Sequence, residues 1–82
     1  MADANTLTRA GIPYPIAVEL ARQMTAGAGN GSADKLVRMG MPVMQANALA
    51  AQINANSFSS HALAAAMIPS SVAKLIKDHS GL

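Results

Sequence analysis

The sequence predicts an all-α protein, a small bundle of about six short helices built from three helix-Gly-x-Pro-helix hairpins. Segments 7–20 and 36–49 share one spacing of Leu, Arg, Gly, Pro, Ala and Leu. Apolar residues around this spacing recur at helical intervals. Gly and Pro stand at the middle of the repeat, where they favour a turn between two helices.

Three prolines at equivalent positions align the repeats: Pro13, Pro42 and Pro69. The units are 3–26, 32–55 and 59–80, and they form a single predicted domain, 1–82. A Leu stands six residues before each proline, and a Leu or Ile stands seven residues after it. These predicted core residues are Leu7, Leu36, Leu63, Leu20, Leu49 and Ile76.

The first helix of each hairpin is predicted to begin after a polar N-cap and to end at a glycine. The caps stand ten residues before the prolines: Asp3, Ser32 and Ser59. Gly11 and Gly40 end the first two such helices, because Gly adopts the left-handed conformation at no steric cost. Met67 stands at this position in unit three, where a non-Gly residue costs about 1 kcal/mol. We therefore expect the third turn to have a different shape.

The second helix of each hairpin is predicted to begin at its proline, which needs no N–H partner there. In unit one its apolar face is Ile12, Ile16, Ala17, Leu20 and Met24. In unit two the same positions are Met41, Gln45, Ala46, Leu49 and Ile53. Such short helices are unstable alone, so we expect the three hairpins to fold together. Unit three diverges most, as is typical of a terminal capping unit.

Residues 25–32, TAGAGNGS, form a Gly-rich joint between the first two units. The glycine spacing is superficially that of a phosphate-binding loop. The segment lacks the Lys-Ser/Thr of such a loop and no strand is predicted before it. A flexible linker is therefore the favoured interpretation.

Composition excludes several classes of protein. Six Lys or Arg against four Asp or Glu give a net charge of +2, and these basic residues are scattered rather than clustered as in a nucleic-acid tract. The chain has no Cys, so disulfides and thiolate metal sites are excluded. Its longest apolar run, 62–68, is far shorter than the roughly 20 residues that cross a bilayer. We expect an intracellular or virion location.

Side chains that could perform chemistry are few. Asp78, His79 and Ser80 are consecutive, so on a helix they diverge instead of converging as a hydrolase triad does. His61 and His79 lack a third ligand at metal-binding spacing. Glu19 could pair with Arg22 one helical turn away. We therefore expect no enzyme activity, no metal and no cofactor.

Methionines surround Pro42, and thioethers suit Cu(I). Packing is the favoured interpretation, because Met39 and Met41 occupy positions that are Ala10 and Ile12 in unit one. Exposed positions at the starts of the second helices are candidates for partner contact: Tyr14, Val43 and Met44. Coverage of a neighbouring hairpin by these side chains is an equally open alternative.

Segment 36–42, followed by Ala46 and Leu49, resembles the first turn of a ubiquitin-associated domain. That family joins two helices by a Met-Gly-aromatic loop, whereas this chain has Met41 in place of the aromatic and a further hairpin in place of the third helix. The resemblance implies an alternative function as an interaction module, with Met41 as a further candidate for partner contact.

Segments 11–24, GIPYPIAVELARQM, and 40–53, GMPVMQANALAAQI, resemble Ala-rich units of small structural proteins of tailed bacteriophages. The resemblance implies a noncatalytic virion component of the capsid-decoration or head-fibre type, assembled in the host cytoplasm. Its implied partners are capsid or other virion proteins, with no small-molecule substrate and no membrane. The thin core independently favours a homo-oligomer.

A small helix-turn-helix regulator that binds DNA is the alternative of a different class. The net positive charge and the hairpins favour it. A recognition helix needs base-reading residues near its start, where unit one has Tyr14, Pro15 and Ile16. Binding of nucleic acid is therefore not expected.

Overall fold

The structure is a computed structural model that describes residues 4–80, with side chains described for residues 4–78. Within residues 4–80 it contains six α-helices and no strand, which confirms the predicted fold class. The helices are α1 (Ala4–Arg9), α2 (Tyr14–Ala26), α3 (Ala33–Arg38), α4 (Val43–Ala55), α5 (Ser60–Ala65) and α6 (Ser70–Ser80). Each unit therefore pairs a short helix with a longer one.

The three hairpins close into a ring. Each helix packs against the next along the chain, and α6 returns to pack against α1. The described part of the chain measures 24 Å along each principal axis, so it is not the elongated stack of an open repeat protein. Unit three, expected to be a terminal cap, instead joins the two ends of the ring.

The predicted core residues lie at the centre of this ring. Leu7, Leu36 and Leu63 come from the short helices, and Leu20, Leu49 and Ile76 from the long ones; all six are at most 1% exposed. Two positions per unit thus supply the fully buried aliphatic side chains, and the pattern in the sequence correctly predicted them.

The three turns between paired helices share one hydrogen-bond pattern. Ile12 N–H donates to the Leu7 carbonyl at 3.2 Å, and the equivalent donors Met41 and Ile68 reach Leu36 and Leu63 at 3.1 Å each. Such a bond spanning six residues closes a helix C-terminus of the Schellman type.

The prediction that the third turn has a different shape is wrong. Met67 adopts φ 69°, in the left-handed region that Gly11 and Gly40 enter at 109° and 107°. The hydrogen bond of the next residue, Ile68, to Leu63 and the packing of α5 against α6 hold the turn in this shape. Packing therefore outweighs the local cost of a side chain at positive φ.

The long helices begin one residue later than expected. Pro13 and Pro42 occupy the N-cap itself, with ψ 142° in both, and the helices start at Tyr14 and Val43. The carbonyl oxygens of the three prolines accept the first helical bonds, each at 2.9 Å, from Ala17, Ala46 and Ala73. A proline can do this because a cap contributes its carbonyl and not its N–H.

The short helices begin as the sequence predicts. The Ser32 hydroxyl accepts from Lys35 N–H and the Ser59 hydroxyl from Ala62 N–H, each at 3.3 Å. Asp3, the predicted cap of α1, lies outside the described residues.

The Gly-rich joint is anchored at its end rather than free throughout. Gly31 N–H donates to Asn54 Oδ1 at 2.7 Å, and Asn54 Nδ2 donates back to the Gly31 carbonyl at 3.2 Å. Within the joint, Asn30 Nδ2 donates to the Ala26 carbonyl at 3.0 Å. These side chains replace the solvent that a flexible linker would use to satisfy its backbone.

Candidate functional site: an apolar pocket where the three turns meet

A pocket of about 350 Å³ opens where the turns of the three hairpins meet, two of them Gly-x-Pro and the third Met-Ile-Pro. All three units contribute equivalent residues to it. The prolines line it, together with the residues before them (Ile12, Met41 and Ile68) and the residues three positions after them (Ile16, Gln45 and Val72). The site thus follows directly from the repeat, although no single unit forms it.

The local chemistry of the turns explains why a pocket remains there. Gly11 and Gly40 line it without side chains. A β-carbon placed on Gly40 would meet its nearest neighbour, Ile16 Cδ1, only at 4.0 Å. The turns therefore approach one another through short residues and proline rings, which leave space between them.

Gln45 contributes the one polar side chain among the described residues that line the pocket. It is half-buried, and its Nε2 donates to the Met67 carbonyl at 3.3 Å. Units one and three have Ile16 and Val72 at this position, so the polarity is confined to one side of the pocket. The same bond connects α4 to the turn of the third hairpin.

The candidate contact residues divide into two groups. Tyr14, Val43 and Met44 are 59%, 60% and 63% exposed, so they do not cover a neighbouring hairpin. Met41 is only 6% exposed and lines the pocket instead. The structure therefore separates Met41 from the three surface candidates; partner contact by any of them stays a prediction.

Several large apolar side chains that are close in sequence to the pocket-lining prolines are exposed. Five of them lie within three residues of a pocket-lining proline and are at least 43% exposed. This group, called the turn patch below, consists of Tyr14, Met39, Val43, Met44 and Met67. The sequence pattern did not indicate Met67 as a contact residue and favoured packing for Met39, because the burial of a turn residue depends on how the hairpins assemble.

Charge near the turns is positive. Arg9 and Arg38 stand four residues before Pro13 and Pro42, and both are exposed. The acidic residue nearest to any of the three prolines along the chain is Glu19, six positions after Pro13. The turns therefore carry two guanidinium groups without a carboxylate among the residues that form them.

Glu19 belongs to a separate polar cluster. It pairs with Arg22, as predicted, and accepts from Gln23 Nε2 at 2.9 Å. The hydrogen bond from Arg22 lowers the pKa of the Glu19 carboxyl below its ordinary value, and the bond from Gln23 lowers it further, against the opposing effect of burial. This cluster does not line the pocket.

The sequence favours neither a metal site at the histidines nor a triad at segment 78–80. Between residues 4 and 78, no three His, Cys, Asp or Glu side chains group as metal ligands would. His61 is exposed, and the side chains of His79 and Ser80 are outside the described part. Across residues 4–80, every helix is too short or too polar to cross a membrane.

Comparisons with protein-family models, with curated proteins and with solved structures found no match to this chain. The chain is therefore defined by its geometry: a small all-α ring of three hairpins around an apolar pocket.

Proposed function

We propose that the chain is a noncatalytic structural protein of a bacteriophage virion that docks to the capsid shell or another particle component through its turns. The observation that carries the docking proposal is that the five exposed apolar side chains of the turn patch each stand within three residues of a proline that lines the apolar pocket. Large exposed apolar groups near a pocket are typical of interaction sites.

The composition of the turn patch suits protein contact. Tyr14 offers a large ring with a polar tip, and Met side chains adapt to irregular surfaces. Met39, Met44 and Met67 are all at least 43% exposed. Binding energy at interfaces concentrates where such side chains meet a pocket that excludes water. The pocket and the patch together supply both features.

The apolar lining of the pocket supports a noncatalytic role. Among the described residues that line it, Gln45 has the one polar side chain, and an amide neither accepts nor releases a proton at ordinary pH. General acid–base catalysis needs a group that does so within reach of the substrate.

The virion setting rests on the resemblance of segments 11–24 and 40–53 to units of tailed-phage structural proteins. Residues of both segments line the pocket. A capsid presents many copies of one surface, so a small domain with a modest single contact can attach firmly if it is displayed in several copies.

Two assays test this proposal. Mass spectrometry of purified particles made from the encoding phage genome should detect peptides of this chain. Purified protein should then cosediment with particles that lack it. A triple variant of the patch, Tyr14→Ser, Val43→Ser and Met44→Ser, should lose cosedimentation while keeping its helical circular dichroism.

Val18→Ser provides the matched control, because Val18 is 41% exposed and lies five residues from Pro13, outside the turn patch. Particles without the peptide would overturn the virion setting. Undiminished cosedimentation of the triple variant would overturn docking through the turns. A gel shift of duplex DNA at moderate salt would instead favour the helix-turn-helix alternative.

A further inference from the structure

We propose that the pocket receives a single large apolar side chain carried by an acidic segment of the partner protein. This inference rests on the proposed docking function and names the chemistry that the docking site recognises. It follows from three properties of the turns: the size of the pocket, the placement of its one polar group and the sign of the nearby charge.

The size of the pocket fits one anchor rather than a whole helix. Its volume of about 350 Å³ is at the lower end of the roughly 300 to 1,000 Å³ typical of ligand pockets. An α-helix with its side chains is about 10 to 12 Å across, too wide for such a space. One anchor residue that enters from the surface, its aromatic or long aliphatic side chain together with its backbone, is of suitable size.

The walls are formed before any partner arrives. Ile16, Ile68 and Val72 line the pocket and are also at most 7% exposed in the core. Their positions are determined by packing between units, so binding of an incoming side chain needs little further ordering of the pocket walls. Preformed pockets of this kind hold the dominant anchors of protein interfaces.

Gln45 offers a hydrogen bond to the backbone of the inserted residue. Its Nε2 is engaged by the Met67 carbonyl at 3.3 Å, while its Oε1 accepts no hydrogen bond from the described residues. An amide oxygen at the pocket wall accepts an N–H well. A peptide segment supplies such a donor beside every non-proline side chain.

Charge selects an acidic partner over a second copy docked in the same way. Arg9 and Arg38 are exposed, and neither makes a side-chain hydrogen bond or ion pair with the described residues. Two copies meeting turn to turn would bring four such groups together, which is unfavourable. Carboxylates flanking the anchor would pair with them.

Two probes with the same apolar body and opposite charge test the inference: phenylbutyrate and phenylbutylammonium. Each is titrated into the full chain while the methyl resonances of Ile12, Met41 and Ile68 are followed by NMR. We expect saturable shifts of these methyls with phenylbutyrate and about threefold weaker binding of phenylbutylammonium.

The double variant Arg9→Gln, Arg38→Gln should remove the preference for the anionic probe. Lys35→Gln with Lys77→Gln is the matched control, because it also removes two exposed positive charges, seven residues before Pro42 and eight residues after Pro69. Ala10→Phe should weaken both probes by filling the pocket, with circular dichroism to verify folding. If that variant unfolds, the arginine variants still decide the result.

Absent shifts, equal affinity for both probes, or a preference that survives removal of both arginines would overturn the inference. A dimer in analytical ultracentrifugation that phenylbutyrate dissociates would overturn it too, in favour of a head-to-tail second copy. These outcomes are independent of the particle assays. If the protein cosediments with particles but neither probe shifts the methyl resonances, the proposed function stands and the inference about the pocket fails. If the probes bind saturably but the protein does not associate with particles, the inference about the pocket stands and the proposed function fails.

Discussion

The buried side-chain amide of Gln23 bonds both backbone polar groups of Ser32. Ser32 N–H donates to Gln23 Oε1 at 3.0 Å, and Gln23 Nε2 donates to the Ser32 carbonyl at 3.2 Å. Gln52 repeats part of this arrangement by accepting from Ser59 N–H at 2.8 Å. The long helices α2 and α4 thus each hold the N-cap of the next unit through a Gln at the same position of the repeat.

Substitution of Gln23 by Leu should destabilise the protein by about 2 kcal/mol, because Ser32 would lose two partners while its backbone stays partly buried. Gln52→Leu should cost less, about 1 kcal/mol, since one bond to Ser59 is lost. Urea unfolding followed by circular dichroism measures both. Asn47→Ala, at an exposed position, is the control, and equal stability of Gln23→Leu and this control would contradict the role of the amide.

Gly31 lies against the backbone of α4, and the approach leaves no room for a side chain. A β-carbon there would overlap the Ala50 carbonyl oxygen and would lie 3.0 Å from Ala50 Cα. Gly31→Ala should therefore lower the free energy of unfolding by about 2 kcal/mol or more, measured by thermal melting. Ala28→Ser, an exposed change in the same joint, should have little effect. A melting temperature unchanged by Gly31→Ala would show that the joint does not pack here.

Replacement of Met67 by glycine should stabilise the protein. Its φ of 69° is strained for a side chain that is 77% exposed, so Met67→Gly removes strain and loses little packing. We expect a gain of about 1 kcal/mol in urea unfolding. Gly40→Ala, at the equivalent position with φ 107°, should lose about 1 kcal/mol or more. A loss of stability in Met67→Gly would mean that the third turn differs from the other two.

Acid should weaken the Glu19 cluster. The pKa of Glu19 is lowered from 4.5 in the folded chain, chiefly by the Arg22 hydrogen bond. The stabilisation is therefore present above that value and is lost as pH falls through the lower folded pKa. Because Arg22 is half exposed and the pair is screened by solvent, we expect the contribution to be small.

Glu19→Gln should thus be less stable than the parent at about pH 7 and equal to it at about pH 2.5, in urea titrations at both values. A constant difference between the two proteins across this range would contradict the assignment of the pKa shift to the ion pair with Arg22.

Much of the fold could be predicted from the sequence, because the repeat places a few residue types where their local chemistry is decisive. The spacing of Leu about the prolines predicted the six core side chains, and Ser32 and Ser59 predicted their helix starts. These features depend on contacts within one hairpin or on one periodic face. They can therefore be predicted from the sequence of a single unit.

The pocket, the anchored joint and the third turn could not be predicted, because they depend on contacts between units. Gln23 and Gln52 stand at the same position of the repeat, ten residues after Pro13 and Pro42. Their role could not be read from this repetition, because it depends on where the next helix begins in space. Asn54 reaches Gly31 across 23 positions of the chain, a contact that no local pattern indicates. Met67 shows how packing between α5 and α6 overrides the preference of one residue.

Methyl NOE spectroscopy of the full chain tests the central claim, that three hairpins close into a ring whose turns meet at one pocket. The Ile16 Cδ1 methyl lies near Gly40, where a β-carbon would be 4.0 Å away, and α1 packs against α6. We predict NOEs from the Ile16 methyl to the Gly40 α protons and between side chains of α1 and α6. A spectrum with NOEs inside each hairpin but none between unit one and the other two would contradict the ring.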